Sequence, residues 1–420
     1  MVKEEQTIHY TILRKVHKMN TLAINGGTPV FGDKQMMDLI PPWPPRYPET
    51  EEKLLEVYRS GKWAGVGPYE QKLMTEFAEF QSARHSVWMV NGTVTLECAL
   101  LALGVGPGDE VIVPGVSWIA TAEAPLYVGA TPVIVDIDPA TCCIDPKRIE
   151  EAITPRTRAI IPVHLFSSVA DMDAITAIAQ KHGIAVGEDC AHAHGAAQHG
   201  KGVGSIGEVG SFSFQLSKLM TAGEGGCCTT NSDELCDKIF RASHIGNSRL
   251  YPKEPLAEGF ICHQYRFTEF QAAVIYDQML HEKELRAKRK AGMARLNGLL
   301  KETPAIIQQQ SSYADDERAY YFPTFLLQYE KLKPGVTRAD IYAALRAEGV
   351  LFHEGWGAPL YEFPAWNVPK KDYIKYDTPV CSDIMYNRVL ITHNAVLLTE
   401  NDIIDKVAEA LDKVMRYYTA

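Results

Sequence analysis

The sequence predicts an α/β fold, a mostly parallel sheet with helices on both faces followed by a smaller α+β unit. Three observations carry that reading. Short apolar runs alternate with helical stretches from about residue 50 to residue 230. A long, charged helical stretch then runs from Gln271 to Leu300 and breaks the alternation. The chain has 420 residues and is 46% hydrophobic, enough for a sizeable core and more than one domain.

From the N-terminus, residues 1–18 are polar, mix acids with bases and lack an apolar centre, so 1–19 reads as an N-terminal extension and not as a signal peptide. Residues 20–50 are rich in Gly and Pro, with Pro41-Pro42-Trp43-Pro44-Pro45 at their end, and read as an extended arm. Residues 51–275 read as a large domain. Helices are expected at 50–60, 69–81, 93–104, 118–128, 146–153 and 171–182. The apolar runs between and after them give strands His85–Val90, Glu110–Pro114, Thr131–Ile137, Ala159–His164, Ile184–Glu188, Gly210–Phe214 and Gly226–Thr230. In such a sheet, ligand groups gather at the carboxyl ends of the strands. The stretch Gln271–Leu300 is the hinge into a small C-terminal domain, 276–420. There, strands Tyr320–Gln328 and Val389–Thr392 accompany helices at 337–348 and 400–416.

Composition narrows the partners. The net charge is −10 and no basic segment stands out, which argues against nucleic acid. No apolar run approaches the roughly 18 residues of a membrane helix. The nine cysteines are odd in number and include no CxxC, so they read as reduced, mostly buried cytosolic thiols. A disulfide frame and a metal site are not expected.

The chemistry points to Lys218. This lysine follows an apolar, strand-like run, Ser211-Phe212-Ser213-Phe214, and precedes a glycine-rich turn. A surface lysine is the blander reading. Burial at the end of a core strand disfavours the ammonium and favours a nucleophilic amine. Asp189 ends another apolar run, where an unpaired carboxylate is costly and a cationic partner is expected. A lysine and an acid, each at the end of a buried strand, are what pyridoxal phosphate chemistry needs: an amine for the aldehyde and a carboxylate for the pyridine nitrogen. Asn91-Gly92-Thr93 opens a helix after a strand, where backbone amides and a hydroxyl bind phosphate, or where Asn91 simply caps the helix. Ser213 and Ser217 add hydroxyls. Trp118 is either core packing or a stacking platform for a flat ring. His192 is either a satisfied core histidine or a donor to a cofactor oxygen. No GxGxxG with a strand-helix frame and no GxxxxGK[ST] is present.

Ordered motifs then accumulate: Leu22 to Val30, Asn91-Gly92-Thr93, Gly106 to Pro114, Asp136 to Pro139, Thr154 to His164, Glu188-Asp189, Ser211 to Gly226 and Tyr265 to Ala273. With these the chain resembles the DegT/DnrJ/StrS-type aminotransferases, pyridoxal phosphate enzymes of sugar and cyclitol amination. The resemblance runs from about residue 20 to about 290 and is thinner beyond. It implies the aspartate-aminotransferase-like fold, pyridoxal phosphate fold type I. It implies Lys218 as the Schiff-base lysine and proton shuttle, Asp189 at the pyridine nitrogen, Trp118 on the ring and His192 near the phenolic oxygen. It places Gly92, Thr93 and Ser213 at the phosphate. It has Gln264 and Arg266 reaching the phosphate of a neighbouring subunit, hence a cytoplasmic homodimer with shared active sites.

The expected reaction is ping-pong transamination. L-glutamine or L-glutamate converts the cofactor to pyridoxamine phosphate, and a keto-cyclitol or keto-sugar accepts the amino group, in a secondary-metabolite pathway such as antibiotic biosynthesis. A pyridoxal phosphate lyase or cyclase acting on an amino acid, and a non-catalytic cofactor-binding regulator, remain as alternatives. The segment Leu165-Phe166-Ser167-Ser168 departs from the Leu-Tyr-Gly of many relatives and leaves the acceptor open.

Overall fold

A computed structural model describes residues 21–250, 255, 260, 262–314 and 316–419. The expected extension 1–19 lies outside the described residues. In chain order the main elements are helices α1 (Pro48–Ser60) and α2 (Pro68–Phe80), strand β1 (His85–Met89), α3 (Gly92–Ala102), β2 (Glu110–Pro114), α4 (Ala120–Tyr127), β3 (Thr131–Val135), α5 (Pro146–Ala152), β4 (Thr157–Ile160), α6 (Met172–His182) and β5 (Ala185–Asp189). A two-residue pair, β6 (Ala197–Gln198) and β7 (Lys201–Gly202), precedes β8 (Val209–Ser213), β9 (Gly226–Thr230), α7 (Asp233–Ser243) and α8 (Glu269–Leu300). The chain continues through β10 (Ile306–Gln308), β11 (Thr324–Leu327), α9 (Arg338–Ala347), β12 (Ile374–Lys375), α10 (Pro379–Asp383), β13 (Val389–Ile391) and α11 (Asn401–Tyr418).

Local chemistry sets most helix ends. Side chains of Asn91, Asp145, Asp171, Ser232, Thr268 and Thr337 accept backbone N–H groups at the starts of α3, α5, α6, α7, α8 and α9. Proline opens α1, α2, α5 and α10, where its missing N–H costs nothing. Gly61 and Gly183 close α1 and α6 in the left-handed conformation.

Eight strands form the main sheet in the order β1-β9-β8-β5-β4-β2-β3-β12. The pairings from β8 across to β12 are parallel, whereas β9 runs antiparallel to both β1 and β8. Alternate residues of β2 and β3 enter opposite cores. Ile112, Val133 and Val135 pack with Ile149 of α5 and Ile175 of α6. Val111, Val113 and Ile134 pack with Leu96 of α3 and Ala122 of α4. Burial on both faces is why these strands read as continuous apolar runs. A second, antiparallel sheet, β10-β11-β13, shares an apolar cluster with α8, α9 and α11. Among the described residues, no helix is long and apolar enough to cross a membrane.

Two expected strands depart furthest from the reading. The strand expected over Ala159–His164 pairs as Thr157–Ile160; beyond it, Pro162 has no N–H to give, and contact with β5 is kept through the carbonyl of Pro162 and an isolated Val163–Asp189 bridge. The strand expected over Tyr320–Gln328 begins only at Thr324, after left-handed Tyr320 and Pro323. Strand β12 was not expected; its two residues extend the main sheet beside β3.

Candidate active site

The carboxyl ends of the parallel strands open into a cavity of about 640 Å³. Gly92, Thr93, Trp118, Asp189, His192, Ser213 and Lys218 all line it. Gln264 and Arg266 do not. They lie on the segment before α8, where Gln264 bridges His244 and Arg266 bridges Met89.

Asp189 is the last residue of β5 and is buried. One carboxylate oxygen accepts the Thr121 hydroxyl at 2.8 Å and the other accepts the Ala191 N–H at 3.1 Å. Thr121 is held in turn by the Ser117 hydroxyl at 2.7 Å. Burial raises the Asp189 carboxyl above the ordinary range, opposed by those two donors and by the charge of Lys218. A cationic partner in the cavity is what this carboxylate lacks.

Lys218 lies five residues beyond the end of β8, the strand that pairs in parallel with β5. Desolvation pushes its amine down to about 8, and Asp189 pulls the other way. Nζ sits 4.9 Å above the ring of Tyr321. The Tyr321 hydroxyl pairs with Ser217 Oγ at 2.7 Å, and Ser217 donates to Gln215 Oε1 at 2.8 Å. The residue preceding the lysine is thereby fixed to the far wall.

At the other end of the cavity α3 points its N-terminus inward. Asn91 caps it: its side-chain oxygen accepts the N–H of Thr93 at 3.0 Å and of Val94 at 3.1 Å. The plain N-cap reading of Asn91 is therefore the observed one. The N–H of Gly92 and the hydroxyls of Thr93 and Ser213 remain for an anion, beside the positive end of the helix. A Cβ at Gly92 would lie 2.6 Å from Ser213 Cβ, and one at Gly226 would lie 2.2 Å from the Asn91 carbonyl. Glycine at both positions lets the helix start sit against β8 and β9.

Trp118 is 47% exposed, which excludes core packing as its role; it meets Phe363 edge-on at 5.6 Å and otherwise faces the cavity mouth. His192 is buried, with its ring 4.2 Å from that of Tyr321. Burial holds it neutral, well below the ordinary histidine range. Nearby, His164, Glu188 and Cys190 bring ligand-type atoms together. Those of Glu188 are spent on the N–H groups of Gly204, Ile206 and Gly207 and on His164, so Glu188 braces the loop between β7 and β8.

Sequence reasoning missed Thr121, Tyr321, Phe322 and Trp356, all on the cavity wall. Thr121 stood one turn from the chosen Trp118. Tyr321 and Phe322 sat at the start of the strand expected over Tyr320–Gln328, not at a carboxyl end, and Trp356 lay in no expected element; all three come from irregular segments more than 100 residues after Lys218.

A model of the DegT/DnrJ/EryC1/StrS aminotransferase family matches residues 46–412. The chain is 42% identical over 316 residues to an L-glutamine:2-deoxy-scyllo-inosose aminotransferase of Streptoalloteichus tenebrarius, covering 71% of this chain and 72% of that protein. It is 40% identical over 318 residues to an L-glutamine:scyllo-inosose aminotransferase of Streptomyces griseus, covering 72% and 73%. Among solved structures, 3-amino-5-hydroxybenzoic acid synthase superposes with a TM-score of 0.80 at 30% identity, over 90% of this chain and 99% of that one.

Proposed function

Because the chain belongs to the DegT/DnrJ/EryC1/StrS aminotransferase family, we propose that this aminotransferase binds pyridoxal phosphate in the cavity and moves an amino group from L-glutamine to a keto-cyclitol. One observation carries the reading. Lys218 and Asp189 leave the ends of two adjacent parallel strands and face one cavity, the amine pushed down to about 8 and the carboxylate short of a cation.

The residues fit the cofactor. Gly92 N–H, Thr93 Oγ1 and Ser213 Oγ would take its phosphate, Asp189 its pyridine nitrogen, Trp118 a ring face and Lys218 its aldehyde carbon. Bound there, the cofactor supplies an electron sink for breaking a C–H bond next to nitrogen. Lys218 Nζ takes the proton from one carbon and returns it to another, a task suited to an amine that titrates near neutral pH. Thr121 and the Ala191 N–H keep the Asp189 carboxylate oriented and ionised. The acceptor and the amino donor follow the relatives' names; a keto-sugar is the broader acceptor class.

The same reading has 51–275 as the cofactor-binding domain and 276–420 as the smaller one. It also includes a cytoplasmic homodimer with shared sites. Exposed Trp118 at the cavity mouth and exposed Leu216 support a second copy, as do Gln264 and Arg266, which do not line this chain's own cavity. The nine cysteines, all free, suit a reducing compartment.

The test is spectroscopic and chemical. Purified protein supplied with pyridoxal phosphate is expected to absorb visible light, and borohydride should fix the cofactor on the Lys218 peptide. L-glutamine should bleach the band, and a scyllo-inosose should restore it with amine formed. Lys218→Ala should bind without the fixable bond. A wild-type protein with no fixable cofactor, or one that consumes an amino acid without any keto acceptor, overturns the reading.

A further inference from the structure

The segment Leu165-Phe166-Ser167-Ser168 forms a tight turn, closed by the Ser168 N–H to the Leu165 carbonyl at 2.9 Å. Phe166 occupies its second position with φ of 59°, a left-handed conformation that turns of this kind normally give to glycine, Asn or Asp. Strain of this sort persists only where the surroundings over-determine it. They do so here. Gln309, Arg318 and Phe322 between them grip each of the turn's first three residues. Gln309, fully buried, donates to the Leu165 carbonyl at 3.1 Å and accepts the Ser167 N–H at 3.2 Å. Arg318 donates to the Ser167 carbonyl, Ser167 Oγ donates to the Phe322 carbonyl, and the Phe322 N–H reaches the Phe166 carbonyl at 3.4 Å.

The backbone N–H of Phe166 is the one turn donor aimed at the site. It points to Nδ1 of His192 at 3.3 Å. A nitrogen that accepts carries no proton, so the ring's single proton lies on Nε2. Among the described residues Nε2 has no protein partner, and His192 lines the cavity. The ring also packs against Tyr321 at 4.2 Å, Trp356 at 5.9 Å and the Phe166 ring at 6.3 Å. The charged or titratable groups that act on it are Lys218 and His194, and both disfavour a second proton.

We infer that Phe166 is a positioning residue: the clamped left-handed turn aims its backbone N–H at His192 and fixes that histidine as a neutral donor whose Nε2–H faces the cavity. His192 is then neither a general base nor a relay for the Lys218 proton. It is a fixed hydrogen-bond donor. On the cofactor reading above, on which this consequence rests, its target is an oxygen of the bound ring.

The inference is tested on the full chain labelled with ¹⁵N-histidine, without cofactor, by long-range ¹H–¹⁵N spectra, with His192→Gln to assign the signals. Wild-type protein should show one His192 species, Nε2 protonated and Nδ1 bare, from pH 8 to pH 6. Phe166→Gly keeps the N–H and accepts the left-handed conformation, and should keep that species. Phe166→Val resists the conformation, and Arg318→Met loosens the clamp without touching the cavity; either should give a mixture of tautomers. A wild-type His192 that is charged at pH 7 or protonated on Nδ1 overturns the inference, as does a single Nε2–H species in both disruptive variants. Should Phe166→Val fail to fold, Arg318→Met decides. In cofactor-loaded protein, His192→Phe and Arg318→Met should both raise the pH midpoint of the visible band, which a merely structural role for the turn would not move. The nitrogen spectra need no cofactor, so their failure is separable from failure of the cofactor reading.

Discussion

Asp189 is a carboxylate whose burial raises its pKa, and a raised carboxyl has a definite consequence for stability. The folded state holds its proton to a higher pH than the unfolded chain, so stability is lost as pH rises from the ordinary carboxyl value to the raised folded one. Without cofactor, Asp189→Asn should therefore be more stable than wild type, by a margin that grows as pH rises above about 4. Pyridoxal phosphate should raise the wild-type melting temperature by more than it raises that of Asp189→Asn. Thermal melts with and without cofactor check both halves, and a variant equally stabilised by the cofactor sinks the role given to Asp189. At this scale the sequence was informative where a polar residue ended or closely followed an apolar strand, as Asp189 ends β5 and Lys218 follows β8. It was silent on Tyr321 and Trp356, whose nearness to Lys218 depends on how irregular segments after α8 fold back over the sheet. It was half informative at Asn91-Gly92-Thr93, where cap and anion site share one helix end and pattern alone could not apportion the N–H groups.

Helix α2 shows how elements depend on one another. Its N-cap position is Gly67, which offers no side chain. The cap comes instead from Glu269, at the start of α8, whose carboxylate accepts the N–H of Tyr69 at 2.5 Å and of Glu70 at 3.2 Å. A Cβ on residue 67 would lie 2.4 Å from the Glu269 carboxyl carbon, so glycine is what lets this carboxylate approach. Losing a cap costs about 1 kcal/mol, and up to about 2 in a buried setting. Glu269→Ala and Gly67→Ala are expected to destabilise by that amount each, and the double variant by little more than either alone, because both remove one interaction. Urea denaturation of the four proteins checks this; additive losses would mean the cap is not shared. Most helix spans were legible because proline, Asn, Asp, Ser and Thr mark their starts, but α7 went unread although Ser232 caps it. The cap on α2 was not legible, since 200 residues separate its partners. The pair Ile374–Lys375 was illegible for a similar reason: two residues carry no alternation, and only the exposed edge of β3 makes them a strand.

Across the whole molecule, buried titratable groups pull stability in opposite directions. Burial pushes His194 down to about 3 and His244 down to about 4. Each binds a proton in the unfolded chain below about pH 6.5 and refuses it when folded, so each makes stability fall as pH drops from 6.5 towards its folded value. Glu70 is pushed up to about 7, chiefly by burial. It keeps its proton when folded and releases it near pH 4.5 when unfolded, so it makes stability fall as pH rises from 4.5 to 7. Between those limits the two kinds of group partly cancel, which predicts a flat stability optimum in mildly acidic to neutral solution. Single variants separate them. Each group contributes at most about 1.4 kcal/mol per pH unit in its window. His194→Leu, which suits the Phe212 and Phe214 rings around that site, should make the acid limb shallower below pH 6.5 and leave the limb above pH 7 unchanged. Glu70→Gln should gain stability relative to wild type above pH 7 and gain none at pH 4.5. Denaturation free energies of the three proteins, without cofactor, at pH 4.5, 5.5, 6.5 and 8 test the signs independently. Parallel curves for wild type and His194→Leu would show that this buried imidazole does not set the acid limit, and the same result for Glu70→Gln would remove the carboxyl from the alkaline one.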